Sequence, residues 1–358
     1  MAYTRCLSLP VIAGFALIAF VAYTIIFLVI QPWLGLITAA GVLNVGAFCA
    51  WTAMILFSYM LSIFRDPGSV PAHYVPDAEG DAESNAEAGR LTPVLVEVKR
   101  KGGEARYCQK CGAFKPARCH HCRICKRCVL RMDHHCVWIN NCVGHTNYKA
   151  FFLFVLYDVL ALTHTVALLI AFFISSWSAD PLPHSSSSLS STSHLATSSV
   201  SASSTAAAVA AAAAAVGGEA YSQPALLLVP SPMTCSVLRA LCLLVSLPLL
   251  IALLVLLVWH CYLIAINKTT IEHYEGVRAR LLSPRPVATG QAPPSHPYDL
   301  GIIANLTAIL GPVALCWLCP NDTRHISDGM HFDTAYSLHS KHAHNHTAHR
   351  HTHVDPIL

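Results

Sequence analysis

Four long apolar runs divide the chain, at roughly residues 9–30, 35–63, 150–174 and 237–265. About 20 consecutive apolar residues are needed for a helix to cross a hydrocarbon core, so each run predicts one membrane-spanning helix. The first run starts a few residues from the beginning of the chain but is longer than the apolar part of a signal peptide. It is followed by Gln31, Pro32 and Trp33, which make a tight connection rather than a cleavage site, so the first two runs predict a helical hairpin. A further apolar segment, Leu300 to Leu318, is interrupted by Gly311 and Pro312 and predicts an amphipathic or re-entrant piece against the membrane. The alanine run from Ala206 to Ala215 is too short and too weakly apolar to span.

Composition agrees with the pattern: 54% of the 358 residues are hydrophobic and 12% charged, too apolar a balance for an ordinary soluble protein. Charge then supplies orientation. Of the 23 Lys and Arg residues, fourteen fall in 65–149 and seven after 266, while residues 175–236 hold none. Basic loops stay cytosolic, so both termini and the central segment are expected in the cytosol and the 175–236 loop in the lumen. The predicted organisation is 1–64 for the first helix pair, 65–149 for a cytosolic lead-in and cysteine-rich domain with its core at 106–149, and 150–174 for the third helix. It continues with 175–236 as a low-complexity Ser- and Ala-rich loop, 237–265 as the fourth helix, 266–320 as a cytosolic C-terminal region, and 321–358 as a disordered tail. That tail is rich in histidine, for example His342, His344, His346, His349, His351 and His353.

The cytosol is reducing, so a cysteine cluster there points to metal or thiol chemistry rather than disulfides. From Cys108 to Cys142 the sequence CQKCGAFKPARCHHCRICKRCVLRMDHHCVWINNC offers eight cysteines and four histidines. Structural zinc takes four Cys and His ligands, commonly entered by short-spaced pairs. Two such pairs are present, Cys108 with Cys111 and Cys122 with Cys125, and Cys128, Cys142, His121 and His135 follow at loop-length distances to complete two sites. Cys119, His120, His134 and Cys136 are left over. A cysteine nucleophile needs a base and an orienting carboxylate, and Asp133, His134 and Cys136 supply one of each. On spacing alone, Cys136 as a further ligand of a purely structural finger stands level with that reading.

The residues that break this tie run from Cys108 to Phe151: Lys115, Pro116, Arg118, His121-Cys122, Asp133-His134-His135-Cys136, Trp138, Asn141-Cys142 and Asn147. With Thr269-Thr270-Ile271-Glu272 after the last span, and Tyr298-Asp299-Leu300-Gly301 with Asn305 beyond, the chain resembles the DHHC protein S-acyltransferases. The resemblance implies an all-α polytopic membrane protein with four transmembrane helices and a cytosolic two-zinc cysteine-rich domain between helices 2 and 3. It implies one zinc on Cys108, Cys111, His121 and Cys128 and another on Cys122, Cys125, His135 and Cys142. It further implies Cys136 as nucleophile, His134 as base, Asp133 as its orienting partner, a Thr of Thr269-Thr270 near the active site, and Asn305 tying the tail to the helices. Two positions depart from the family pattern: Val137, where proline is usual, and Cys119, where a non-cysteine is usual.

The activity so implied is transfer of a long-chain acyl group, typically palmitoyl, from acyl-CoA to cysteines of membrane-associated proteins, in two steps through Cys136. Lys115 and Arg118 are expected at CoA phosphates and Trp138 beside the thioester, with the bilayer as the medium and no nucleic-acid partner. A Golgi or other endomembrane location is expected, with the plasma membrane as the alternative. The competing function is a non-catalytic zinc-bearing scaffold. A metal transporter is disfavoured, because Asp158, His164 and His260 are nearly all the ionisable groups the spans contain.

Overall fold

In the computed structural model, residues 8–76, 94–98, 104–179, 231–282 and 296–335 are described. The Ser- and Ala-rich stretch 180–230, the acidic part of the lead-in at 77–93 and the histidines from 336 onward lie outside them. Four helices are long and apolar enough to cross a membrane: α1 (Leu9–Trp33), α2 (Ala39–Phe64), α3 (Tyr148–Ala179) and α4 (Pro232–Ala265). Their starts are written in the sequence. Thr38 accepts the Gly41 amide at 3.0 Å to cap α2, and Ser231 caps α4 ahead of Pro232 in its first turn.

The tight connection expected at Gln31–Trp33 is instead a last helical turn. Residues Thr24–Ile30 of α1 widen into a π-helix, and the chain turns only at Gly35, whose φ of +74° suits glycine. Side chains of α4 such as Leu244, Ile251 and Val255 are well exposed, as on a lipid-facing helix. α3 sits between α2 and α4, and His164 of α3 bonds Asn44 of α2 at 2.9 Å.

The segment between α2 and α3 forms short antiparallel hairpins: β2 (Tyr107–Cys108) with β3 (Ala113–Phe114), β4 (His120–Cys122) with β5 (Arg127–Val129), and β6 (His134–Cys136) with β7 (Asn141–Val143). Strands of two or three residues bury little apolar surface, so packing alone cannot hold them. Side chains fasten the last hairpin to the bundle. Asn141 Nδ2 donates to the carbonyls of Ser62, Ile63 and Arg65 at the end of α2, Asn147 Nδ2 donates to Cys142 O, and Ile139 at the hairpin tip is buried in the helical core. The Tyr59 hydroxyl of α2 donates to Trp138 O at 2.7 Å.

After α4, the short helix α5 (Thr270–Glu275) and α6 (Ile302–Leu310) carry the chain back along the cysteine-rich domain, and β1 (Val94–Glu97) pairs with β8 (Ala279–Leu282). The interrupted segment after Leu300 does not cross. α6 has nine residues, and the chain after it turns through Ala314–Cys316 with Leu315 and Leu318 exposed. Asn305 bonds Ala265 O at the end of α4 and the Asp299 carboxylate. Residues 321–335, expected to belong to a disordered tail, are packed instead. His325 bonds Ile309 O, Ser327 O accepts from His145 Nε2, and the Phe332 ring lies against the Arg118 guanidinium.

Candidate active site

Hairpin register explains the cysteine arithmetic. Across β4–β5, His121 stands opposite Cys128; across β6–β7, His135 stands opposite Cys142. Each cross-strand pair meets a Cys pair from the turn of the preceding hairpin. His121 Nδ1 lies 3.2, 3.5 and 4.0 Å from the sulfurs of Cys111, Cys108 and Cys128, and His135 Nδ1 lies 3.5, 3.6 and 3.7 Å from those of Cys125, Cys142 and Cys122. With metal bonds of about 2.3 Å to sulfur and 2.0 Å to nitrogen, neighbouring ligand atoms on a tetrahedron lie about 3.5–3.8 Å apart, so both sets fit one zinc-sized ion. Burial and the adjoining thiols push the Cys142 thiol far above its ordinary range, so a bound cation is what would hold this group as thiolates.

Cys136 belongs to neither set. It occupies on β6 the position Cys122 occupies on β4, fourteen residues earlier, in a repeated pattern His-His-Cys, five residues, Cys-Val. Cys122 belongs to the next ligand set, whereas among the described residues no hairpin follows β7 to claim Cys136. The chain passes directly into α3. The half-buried Cys136 packs instead against the apolar core of the helices, which includes Tyr59, Phe151 and Ile264. Sequence reasoning missed this repeat, although its spacing was there to find.

His134 and His120 occupy equivalent strand positions in opposite environments. Burial and the Arg106 charge drive His120 down to about 3. At His134, burial opposes the charged form, but hydrogen bonds to Asp133 and Cys136 win and raise the ring to about 9. His134 Nδ1 is 2.7 Å from Asp133 Oδ2. Asp133, with no exposed surface, also accepts from the Thr270 amide and the Thr270 hydroxyl, each at 2.9 Å. Burial pushes this carboxyl up, yet the His134 and Thr270 hydrogen bonds hold it below its ordinary value.

Thr269-Thr270-Ile271-Glu272 is both a capping box and a brace. Thr269 caps α5 reciprocally with Glu272, while Thr270 turns to Asp133. Glu272 takes a two-pronged bond from Arg118 at 2.7 Å on each arm. Arg118, expected at CoA phosphates, is 1% exposed. It spends further donors on Asn267 and lies over the rings of Tyr298 and Phe332, which pack edge-on against each other. Its guanidinium is thereby an internal clamp, because a phosphate would have to displace a buried carboxylate.

Lys115 is half-buried and lines two adjoining surface clefts of about 570 and 490 Å³, shared with His120, Tyr107 and Glu275; Lys110 and Arg123 border the second. Trp138 is exposed two residues from Cys136. Val137 begins the turn between β6 and β7, its carbonyl accepting from Asn140 N at 3.2 Å. Cys119 is fully buried beside Cys108 and Cys128. One neighbour escaped the sequence reading: His260 of α4. It is buried, it pairs with the Tyr148 hydroxyl at 2.9 Å, and its ring stands 6.1 Å from that of His134.

Residues 101–277 match the family model of the DHHC palmitoyltransferases. Probable protein S-acyltransferase 16 of Arabidopsis thaliana is 44% identical over 329 residues, covering 92% of this chain and 93% of the relative. Probable protein S-acyltransferase 15 of the same plant is 36% identical over 88% of this chain and 98% of its own length, and palmitoyltransferase ZDHHC15 of Xenopus laevis is 28% identical over 80% and 70%. The chain therefore belongs to the DHHC palmitoyltransferases, a family of membrane-embedded acyltransferases, and is an enzyme of that class with a metal-ligating domain between its second and third spans.

Proposed function

We propose that this protein transfers a long-chain acyl group from acyl-CoA to cysteines of membrane-associated proteins through a thioester on Cys136. The observation that carries the reading is the free Cys136 thiol, which both metal-ligand sets leave out, beside a His134 that Asp133 and Thr270 hold in place. His134 takes the Cys136 proton, and the thiolate attacks the acyl-CoA carbonyl. The C–S bond to CoA breaks, and the CoA sulfur leaves with the proton from His134. A substrate cysteine then gives its proton to His134 and attacks the acyl-enzyme, releasing the Cys136 thiolate, which recovers the proton. One thioester is exchanged for another at each step, so positioning and thiol activation suffice.

A long acyl chain gains about 0.8 kcal/mol per methylene removed from water. The apolar core against which Cys136 packs offers that environment between the helices, with Trp138 at its exposed edge. We place the CoA phosphates at the clefts bordered by Lys110, Lys115 and Arg123. Two zinc ions complete the hairpins, on Cys108, Cys111, His121 and Cys128 and on Cys122, Cys125, His135 and Cys142. When bound, they neutralise the clustered thiolates and fix the backbone on both sides of His134.

Incubation of the purified full-length protein with labelled palmitoyl-CoA, without acceptor, is expected to leave one hydroxylamine-labile acyl group per chain. Peptide mapping should place it on Cys136. A folded, zinc-loaded preparation that takes no label would return the scaffold reading. Zinc analysis is expected to give two ions per chain and one in Cys111→Ala. Chelation should abolish acylation together with protease resistance of residues 104–147, whereas full zinc content in the variant would contradict the ligand assignment.

A further inference from the structure

Arg131 occupies the sharp corner that leads from β5 to Asp133, with a φ of +42° and 3% of its surface exposed. Its guanidinium stacks over the Tyr148 ring at 4.9 Å, and its Nη2 is buried without a hydrogen-bond partner. The two nearest buried carboxylates are committed elsewhere, Asp133 to His134 and Thr270, and Glu272 to Arg118. Arg131 faces a cavity of about 210 Å³ lined also by Arg118, which Glu272 neutralises, by Asn267, by the start of α3 and by the packed segment 296–335. Lys149 lines the same cavity and is 3% exposed. Its Nζ rests on the carbonyls of Leu310, Cys316 and Asp322 and makes no direct ion pair among the described residues, the Asp322 carboxylate acting on it only at longer range. The one carboxylate in the lining is Asp333, on the exposed side.

Burying a cation without a counter-ion is strongly unfavourable, so Arg131, with its unpartnered Nη2 and the Lys149 charge beside it, calls for an anion in the cavity. A guanidinium with free N–H groups favours the planar, multi-acceptor edge of a phosphate. Position narrows the source. Tyr148 and Lys149 open the first turn of α3, at the level where a cytosolic leaflet presents its headgroups, and the helix start adds a favourable dipole. The cavity is lined by different side chains from the Lys110, Lys115 and Arg123 clefts assigned to CoA. We propose that it is a second anion site that binds a phosphomonoester, with an anionic lipid headgroup as the source its depth favours.

The test uses the full-length protein in phosphatidylcholine nanodiscs with and without phosphatidic acid, following the thermal midpoint and the lipid retained in native mass spectrometry. Phosphatidic acid is expected to raise the midpoint saturably and to be retained. Arg131→Gln should weaken this by roughly tenfold or more, the loss of a charge-assisted hydrogen bond. Ala308→Trp, which fills the cavity and leaves both cations in place, should abolish it while the protein still binds two zinc ions. Inorganic phosphate or CoA displacing the lipid at similar concentration, in wild type and not in Arg131→Gln, would keep the site and make its occupant soluble. Equal stabilisation by phosphatidylcholine alone, or unchanged binding in both folded variants, would overturn the proposal. None of these readouts depends on acyl transfer.

Discussion

Asp133→Asn is expected to lower the rate of acyl transfer by about 10³–10⁴-fold while leaving zinc content and folding intact, the scale seen when the acid of a nucleophile–His–acid set is made neutral. The carboxylate accepts three hydrogen bonds, from His134 Nδ1, the Thr270 amide and the Thr270 hydroxyl. An asparagine keeps one oxygen for the Thr270 amide and presents its NH₂, in place of Oδ2, to both His134 and the Thr270 hydroxyl, which can accept from it. The ring must then turn its unprotonated Nδ1 toward that NH₂ and its N–H toward Cys136, the wrong tautomer for a base. Pre-steady-state labelling of Cys136 separates this from a structural effect, because the variant should acylate fully but slowly. Labelling within tenfold of the wild-type rate would remove Asp133 from the proposed mechanism. Thr270→Val should show a smaller loss, since it deletes one of the three donors and leaves the amide in place.

The second large effect concerns stability. Glu272→Ala is expected to destabilise the assembly of cysteine-rich domain and C-terminal segment by about 3–5 kcal/mol, because it strands a buried guanidinium. Arg118 is 1% exposed, clasped by both Glu272 oxygens and set over the rings of Tyr298 and Phe332, so its charge stays buried when the carboxylate is lost. Replacing both partners by apolar residues, as in Arg118→Met with Glu272→Leu, should recover much of the loss, since the cost lies in the unpaired charge. Thermal unfolding in detergent reads both; a Glu272→Ala protein within about 1 kcal/mol of wild type would reduce the pair to the worth of a surface contact. Burial raises the Glu272 carboxyl, but Arg118 and the Thr269 amide outweigh it and leave its pKa below the ordinary value. The pair's contribution is therefore present at neutral pH and is lost as pH falls through that lowered value.

Much of this was legible in sequence, for reasons that differ by region. The spans announced themselves because hydrocarbon admits only long apolar helices, and the ligand sets because short-spaced cysteines and histidines in a reducing compartment have few other uses. What could not be read depends on contacts across long separations. Arg118 looked like a phosphate contact because a basic residue among zinc ligands usually faces solvent; its partner Glu272 lies 154 residues away. His260 looked like an isolated polar group in a span until the fold set it beside Tyr148 and His134. Residues 321–335 looked featureless because their packing rests on His325, Ser327 and Phe332 meeting separate elements, and no periodic pattern encodes that.

The hairpins behave like units of a short polymer in which each member passes a pair of turn cysteines forward to the next. Such a series always has an end group, and here the end group is Cys136. The thiol proposed as nucleophile is thus what remains when the series of ligand sets stops at a membrane helix rather than at another unit. Substituting Cys136 should leave every crosslink intact, whereas lengthening the series by one hairpin would consume the thiol and turn a transferase into a longer metal-bound rod.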